Sequence, residues 1–461
     1  MTMVSQSARR AASPFASALG LSGLASILLF TACLRVFGVS LVPAALGMGA
    51  AVLALTMFRY PIGSLGVVLA WMPIHPLAFL VASFFGPSYI GRFEGCDRAV
   101  VLLVAFILWK KNGIRLVAPD WLLLACFGLA FLRLVFGGTL LPLLSDFNLV
   151  IAYATGRVVG LTRGQERRWA TRAVWIVAVL SVLGMGEVLL IGDGPRTALY
   201  LSVAEGATDE GALNAAFRAD GFTGLRESAT MFGPLQFAPL CMAALVLWWV
   251  YGGNPAPAAI IMAGLICTVT RSAWLGTAVA ITLLAVIMHQ KRRFSLYAAL
   301  AVALFAAAVP LLGLNDYLLS SRTGQDLSAQ GHQESIVKGL EYVAGHPFGS
   351  GPGNAGMFAS RSNAEGVFIE NSYLTLAAEY GIVVALCFIG FLVSALRTAW
   401  RERTQLGYAA VGILAGFGTV MLLAPLHNVF SLASWIWFPV GLAVRSSTAL
   451  QDDGKLCTTP A

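Results

Sequence analysis

Long apolar runs separated by short polar connections form the main pattern of this chain. A helix needs about 20 residues to cross the hydrocarbon layer of a membrane, and most of the runs approach or exceed that length. The pattern therefore predicts about 14 transmembrane helices, an even number that places both termini on one side. The predicted spans are 18–36, 40–58, 61–85, 98–110, 119–138, 141–159, 168–192, 231–252, 256–270, 273–289, 294–313, 370–396, 405–424 and 430–445.

Two polar segments are too long to be turns between neighbouring spans. Residues 193–230 carry six acids and three arginines, a net charge of −3, and residues 314–369 carry five acids and three bases, a net charge of −2. Basic residues of membrane proteins collect in cytoplasmic connections, so both long segments are expected on the outer face. The basic residues that alternate with them are Arg9, Arg10, Arg59, Lys110, Lys111, Arg115, Arg163, Arg167, Arg168, Lys291, Arg292, Arg293, Arg397, Arg401 and Arg403.

The second long segment has local structure of its own. Apolar residues recur at helical spacing in 333–344, which predicts an amphipathic helix on the membrane surface or over the bundle. Residues 349–354 form a Gly-rich turn cluster that can bring backbone N–H groups close to a ligand. The span 370–396 follows. Long ordered loops usually carry function, so residues 321–381 are expected to hold the chemistry.

Composition supports a membrane protein of a single integral domain, residues 1–461. Of the 461 residues 58% are hydrophobic and only 11% are charged, whereas a soluble domain has about 25% charged residues. The formal net charge of +8 is explained by topology signals, so no nucleic-acid partner is expected. The seven cysteines show no metal-ligand or disulfide spacing, and no metal or cofactor is expected.

Arg271 is the first candidate for chemistry, because it interrupts two apolar runs that together are too long for one crossing. A charge at the bilayer centre costs about 2.5–3.5 kcal/mol on insertion scales, and a hairpin that places Arg271 at the outer surface avoids most of this cost. The guanidinium would then bind a phosphate in forked geometry. The alternative is an interfacial arginine that only extends its side chain towards water.

Four arginines of the outer segments are further candidates. Any one of them could simply be solvated, but together with Arg271 they suit an anionic ligand near the mouth of one bundle. These arginines are Arg218, Arg226, Arg322 and Arg361.

Glu370 is the candidate general base at the start of a helix, with a plain helix-capping role as the alternative. Glu379 is expected to be an intramembrane acid paired with an arginine. Among the histidines, His332 and His427 are reserve candidates for the base, and His346 is expected to make a turn contact.

Three sequence segments together resemble the O-antigen ligase and polymerase superfamily. They are TRSA at 270–273, HPFGSGPG at 346–353, and ENSYL at 370–374 continuing to EYGIV at 379–383. The resemblance covers roughly residues 215–396, and the N-terminal half contributes only hydropathy. Members are bacterial inner-membrane proteins with 10 to 14 spans and large periplasmic loops.

The resemblance implies a metal-independent glycosyltransferase of the GT-C membrane fold. Its donor would be a glycan on undecaprenyl diphosphate, attacked by a sugar hydroxyl. By this analogy Arg271, with Arg218 or Arg322, would hold the pyrophosphate, while Asn371, His346 and His332 would complete the substrate-binding set. Both termini would be cytoplasmic and the active site would face the periplasm, in contact with membrane lipids.

The resemblance leaves three functions open. Ligases of this family usually carry His at the position of Glu370, and the Glu-Asn-Ser-Tyr-Leu form resembles the exopolysaccharide polymerase branch. The first expectation is a polymerase of exopolysaccharide or O-antigen repeat units, which would work with the flippase and chain-length regulator of its pathway. The second is a ligase that transfers finished glycan to lipid A-core, the membrane-anchored part of lipopolysaccharide, or to another acceptor. The third is a non-enzymatic flippase or transporter.

Overall fold

The computed structural model describes residues 60–74, 90–136, 140–192, 228–229, 231, 233–289, 295, 327–356 and 367–456. These residues are almost entirely helical, and the only pairing of extended backbone among them is a single bridge between Ala355 and Val367. The described α-helices are α1 (Pro61–Trp71), α2 (Ile90–Asn112), α3 (Ala118–Arg133), α4 (Leu140–Asp146), α5 (Asn148–Val158), α6 (Arg163–Gly186), α7 (Pro234–Tyr251), α8 (Pro255–Cys267), α9 (Arg271–Ile287), α10 (Leu327–Gly345), α11 (Ser372–Tyr380), α12 (Ile382–Glu402), α13 (Gln405–Met421) and α14 (Phe430–Leu456). A short 3₁₀ turn (Leu134–Phe136) follows α3, and a π-helical turn (Glu187–Ile191) follows α6.

Three of the described helices are long and apolar enough to cross a membrane: α6 with its π-helical extension, α7 and α12. Shorter apolar helices accompany them, including α8, α9 and α13. The expectation of an all-α membrane protein agrees with this structure, whereas the count of 14 spans and the GT-C arrangement remain predictions. The predicted spans 18–36 and 40–58, and 294–313 apart from Ser295, lie outside the described residues.

The chain divides into two units, Met1–Leu65 and Gly66–Ala461. Only residues 60–65 of the first unit are described. All helices from α2 onwards belong to the second unit, which contains every residue discussed below. The prediction of one domain is therefore neither supported nor opposed by the described residues.

Local capping explains where several helices begin. Thr162 precedes α6 and forms a reciprocal box with Gln165, because Gln165 Oε1 accepts the Thr162 N–H at 2.8 Å and Thr162 Oγ1 accepts the Gln165 N–H at 3.4 Å. Asn254 caps α8 by accepting the Ala256 N–H at 3.0 Å, and Pro255 occupies the first helical position.

Glycines set the closest helix crossings. A Cβ atom on Gly156 of α5 would clash with the carbonyl oxygen of Phe438 in α14, and one on Gly441 would clash with the carbonyl oxygen of Tyr153. Small residues at a crossing let two backbones approach and gain dispersion energy, as in other membrane helix pairs. The α5–α14 contact is therefore fixed by two glycines that face each other.

A second glycine crossing sets the relation of α9 to α13. A Cβ on Gly276 would lie 2.7 Å from the carbonyl oxygen of Gly416 and 2.7 Å from Val420 Cγ2, while one on Gly412 would lie 2.7 Å from Leu284 Cδ1. The two helices are thus antiparallel. As a consequence, the first residue of α9 lies at the same end of the bundle as the last turn of α13.

Two predicted spans, 141–159 and 370–396, are each divided into two helices. The first is two helices, α4 and α5, separated at Phe147, and the second is α11 and α12, separated at Gly381. Gly381 has φ +97°, a conformation that favours glycine, and its Cα comes so close to Phe348 that an added Cβ would lie 2.8 Å from the Phe348 carbonyl carbon. Apolar composition alone does not reveal such breaks.

Candidate functional site

The amphipathic helix predicted at 333–344 is confirmed as α10. One face, with Ser335, Gly339 and Val343, is buried, and a Cβ on Gly339 would lie 3.3 Å from Ile369 Cγ2. The opposite face leaves Val337 and Leu340 about half exposed. The buried face therefore holds the segment that leads into α11.

Glu370 and His332 meet across this contact. Nδ1 of His332 contacts Oε2 of Glu370, and the Glu370 backbone N–H donates to Ser335 Oγ at 2.9 Å. The His332 side chain remains 36% exposed and the Glu370 side chain 29% exposed, so a ligand can reach both side chains. The structure thus brings together two residues that the sequence offered separately.

Glu334, the neighbouring acid on α10, pairs with a lysine. Lys338 lies 2.7 Å from Glu334, and its hydrogen bond and positive charge lower the pKa of the Glu334 carboxyl. Such an acid is a weaker proton acceptor. Glu370 differs in its partner, which is the His332 imidazole and not a lysine ammonium.

Asn371, not Glu370, is the cap of α11, so the alternative reading of Glu370 as the cap is wrong. Its Oδ1 accepts the backbone N–H groups of Tyr373 at 2.9 Å and Leu374 at 3.0 Å, while its Nδ2 donates to the Leu422 carbonyl at 2.9 Å. Both ends of the Asn371 amide are therefore engaged within the protein. A substrate contact by Asn371 remains a prediction, whereas its positioning role is visible.

Arg271 begins α9 and is half-buried. The chain breaks between α8 and α9 at Thr268–Thr270, where Val269 has φ +48°, so the predicted interruption of the two apolar runs is confirmed. The Trp274 indole N–H donates to the Leu265 carbonyl at 2.9 Å and ties the two helices together. The start of α9 adds the positive end of a helix dipole to the guanidinium charge.

Arg271 and Glu370 lie at the same end of α13. Gly276, just over one turn into α9, packs beside Gly416 and Val420, and Asn371, next to Glu370, donates to Leu422 just beyond α13. The Tyr373 hydroxyl of α11 donates to the Gly418 carbonyl at 3.0 Å, between these two contacts. The helix α13 therefore connects the arginine and the carboxylate candidates.

The Gly-rich turn is not a free anion cradle. The N–H groups of Ser350 and Gly351 donate to the carbonyls of Ala378 (2.8 Å) and Glu379 (2.9 Å), at the end of α11. The Ala355 N–H donates to Glu379 Oε1 at 3.3 Å. The turn therefore uses its N–H groups to bind the protein itself, contrary to the expectation of a ligand-facing loop.

The remaining predicted residues differ in what the structure shows. His346 makes a turn contact, as expected: its ring stacks on Tyr342 with centroids 4.5 Å apart, and its Nδ1 lies 3.1 Å from the Tyr342 carbonyl oxygen. His427 is buried at 1% exposure, away from solvent. The arginines that lie outside the described residues are Arg218, Arg226, Arg322 and Arg361.

A buried polar cluster was missed by sequence reasoning. The Tyr380 hydroxyl donates to Asp146 Oδ2 at 2.7 Å, and His427 Nε2 lies 3.5 Å from Asp146 Oδ1. The Glu379 carboxyl is in hydrogen-bonding contact with Asp146. The expectation of an arginine partner for Glu379 is therefore wrong, because its side-chain partner is a second acid. The signal available in the sequence was two acids inside apolar runs.

Arg133 is a further residue that the sequence reading passed over. It is the last residue of α3, and its guanidinium donates to the Gly349 carbonyl in the Gly-rich turn. Beside it lies a surface cavity of about 230 Å³. The cavity is lined by Leu129, Leu132, Arg133, Pro347, Phe348, Tyr380, Gly381, Val383 and Val384. A lone arginine inside the predicted span 119–138 was the available signal.

Comparison with known families covers this region. Residues 256–389 match the family model described as O-antigen ligase, and this match supports the O-antigen ligase and polymerase superfamily. The matched residues run from α8 to the first turns of α12 and include Arg271, His332, Glu370 and Glu379. No curated protein matches the chain significantly.

Proposed function

We propose that this chain, with its O-antigen ligase family region at residues 256–389, is a polymerase of lipid-linked glycan repeat units. It would act at the periplasmic face of a bacterial inner membrane on glycans carried by undecaprenyl diphosphate. The observation that carries the proposal is the contact between the partly exposed side chains of Glu370 and His332, at the end of α13 where Arg271 begins α9.

The proposed reaction is one glycosyl transfer. A hydroxyl oxygen of the acceptor sugar attacks the anomeric carbon of the donor, the bond from that carbon to the diphosphate oxygen breaks, and its electron pair leaves on the diphosphate. Glu370 accepts the hydroxyl proton. His332 contacts the Glu370 carboxylate and orients it towards the acceptor.

Arg271 is proposed to stabilise the diphosphate as its negative charge increases. A guanidinium binds phosphate oxygens in forked geometry and keeps its charge at every physiological pH. Electrostatic groups fixed where charge develops contribute strongly to catalysis. Arg218 or Arg322 is proposed as the second pyrophosphate ligand, while Arg226, Arg361 and His346 are proposed to contact the glycan.

A ligase is the second candidate function, and the description of the matched family as O-antigen ligase favours it. In that case the acceptor would be lipid A-core or another acceptor and not a second repeat unit. The polymerase is preferred because a carboxylate, Glu370, stands where ligases resembling this chain carry histidine. Either function uses the same attack and the same leaving group.

Purified protein in detergent, incubated with undecaprenyl diphosphate-linked repeat units extracted from its host, tests the proposal. A ladder of lengthened glycans is the expected product of a polymerase. A single transfer to added lipid A-core would indicate the ligase, and no transfer to either acceptor would reject both enzymes.

Matched variants test the residues. Glu370→Gln and Arg271→Ala are each expected to lower the transfer rate by about 100-fold or more while the protein still inserts into membranes. The controls are Glu334→Gln, an exposed acid of α10, and Arg397→Ala, an exposed arginine of α12, which should remain active. Full activity of Glu370→Gln and Arg271→Ala would remove the assigned site.

A further inference from the structure

We propose that Asp146 and Glu379 share one proton, and that this carboxyl pair, with Tyr380 and His427, positions Glu370 and His332 relative to each other. The shared proton is a property of the folded chain and does not depend on its function. The positioning role rests on the function proposed above.

The contacts of the two acids require a proton between them. Asp146 is 2% exposed and Glu379 is 1% exposed, and their carboxyl groups are in hydrogen-bonding contact. Two ionised carboxylates in contact and away from water repel each other strongly. A hydrogen bond between two carboxyl groups forms only when one of them is protonated.

The neighbouring donors leave one oxygen for that proton. Glu379 Oε1 accepts the Ala355 N–H at 3.3 Å, and the single proton of the Tyr380 hydroxyl goes to Asp146 Oδ2 at 2.7 Å. No N–H or O–H of the described residues hydrogen-bonds to Glu379 Oε2, which is buried. A buried oxygen without a donor costs free energy, and a proton shared with Asp146 removes this cost.

Contacts of the cluster and of the segment before His427 anchor both ends of the short helix α11. At the C-terminal end, Glu379 and Tyr380 are held to Asp146. At the N-terminal end, Ser372 Oγ donates to the Ala424 carbonyl at 2.7 Å and accepts the Leu426 N–H at 3.2 Å. His427 follows Leu426 directly and lies against Asp146, so both ends of α11 are anchored to connected groups.

The anchoring of α11 fixes the positions of both Glu370 and His332. Glu370 lies two residues before α11, and its position follows that helix. The Gly-rich turn continues from α10, which carries His332. It is anchored to Glu379 because the Ala355 N–H donates to the Glu379 carboxyl and the Gly351 N–H donates to the Glu379 carbonyl. Loss of the Asp146–Glu379 contact should therefore change the distance between Glu370 and His332 without removing either group.

Infrared spectroscopy tests the shared proton without any substrate. The wild-type protein in detergent at neutral pH is expected to show a protonated-carboxyl band that disappears in both Asp146→Asn and Glu379→Gln, because each amide supplies its own N–H donor. Glu370→Gln serves as the control and should retain the band. A band unchanged in both Asp146→Asn and Glu379→Gln would overturn the shared proton.

Hydrogen exchange and kinetics test positioning. Glu379→Ala should lose amide protection in peptides covering 346–356 and 367–374, and its kcat should fall about 10- to 100-fold with little change in KM, because small misplacements of reacting groups are costly. Glu379→Gln should restore protection and most of kcat. Equal loss in Gln and Ala, or a loss confined to KM, would contradict the positioning role.

Tyr380→Phe provides a second variant if Glu379→Ala does not fold. It removes only the hydroxyl, while the ring keeps its edge contact with Phe147 at 5.5 Å between centroids. Reduced amide protection and a reduced kcat are expected, whereas wild-type values of both would contradict the positioning role. If the infrared band behaves as expected but the wild type transfers no glycan, the proposed function fails and the shared proton stands.

Discussion

The two ends of the helical bundle bury their charges in opposite ways. At the start of α3, Asp120 forms a two-point ion pair with Arg157, with Nε and Nη2 each 2.9 Å from a carboxylate oxygen, and the Tyr153 hydroxyl adds a hydrogen bond of 2.8 Å. The Arg115 carbonyl accepts from Arg157 as well. At the other end, beyond the last residue of α3, acid meets acid in the Asp146–Glu379 pair.

The Asp120–Arg157 pair has a structural role, whereas the groups at the opposite end are suited to chemistry. The Asp120–Arg157 pair neutralises its charges, and the carboxylate accepts four hydrogen bonds, so nothing remains for a ligand. The opposite end holds a carboxyl pair that needs a proton, together with the partly exposed side chains of Glu370 and His332, which contact each other. Functional groups concentrate where partners are incomplete, and here that end also carries the family region.

The largest expected effect lies at the end with the complete ion pair. Asp120→Ala should destabilise the protein by about 3–5 kcal/mol, because it leaves the Arg157 charge buried without its carboxylate. Unfolding in detergent, followed by tryptophan fluorescence, measures this change. The double variant Asp120→Leu with Arg157→Met should recover most of the stability, and a loss as large as that of Asp120→Ala would contradict this assignment.

The next effect is catalytic and belongs to the other end. Arg271→Ala is expected to lower kcat about 10²- to 10³-fold, the usual result of removing one group that stabilises transition-state charge. Its unfolding transition should stay close to wild type, unlike that of Asp120→Ala. Initial rates of glycan lengthening measure the first quantity. A normal kcat together with lower stability of Arg271→Ala would indicate that Arg271 has a structural role.

A smaller effect is expected in the Gly-rich turn. Gly349 has φ +84°, and a Cβ there would lie 2.5 Å from the Glu379 carbonyl oxygen. Gly349→Ala should therefore cost at least about 1–2 kcal/mol, the penalty of the left-handed conformation alone. Thermal unfolding measures it. Gly345→Ala is the matched control, since no atom lies within 4 Å of its added Cβ, and equal losses in both would refute the strain argument.

The smallest expected effect is at the cap of α11. Asn371→Ala should lower stability by about 1 kcal/mol, because two backbone N–H groups lose their acceptor. Asn371→Asp keeps the acceptor oxygen and should retain most of this contribution. Should Asn371→Ala instead leave stability intact and abolish transfer, Asn371 would be a substrate ligand of the kind first predicted.

Much of the helical framework could be predicted from apolar runs, but the breaks could not. The interruption before Arg271 was visible because a charge divided two runs, and α10 was visible from its periodicity. The breaks at Phe147 and Gly381 were not, since each lies inside a run apolar enough to read as one crossing. Tertiary contacts decide such positions.

The site was predictable only in part for a similar reason. Glu370 and His332 were both recognised as candidates, yet their contact joins residues 38 positions apart. Asp146 and Tyr380 are 234 positions apart, a separation that no local spacing rule covers. A buried acid acquires its chemistry from partners that only the fold brings near.

The internal hydrogen bonding of the Gly-rich turn (residues 349–354) has a consequence for attempts to change which ligands this chain binds. Its described N–H groups already bond to α11 and to their own loop, so binding of an anionic ligand here falls to side chains and not to the main chain. Side chains can be exchanged one at a time without rebuilding a loop. Ligand preference should therefore be changeable through point substitutions around an unchanged backbone.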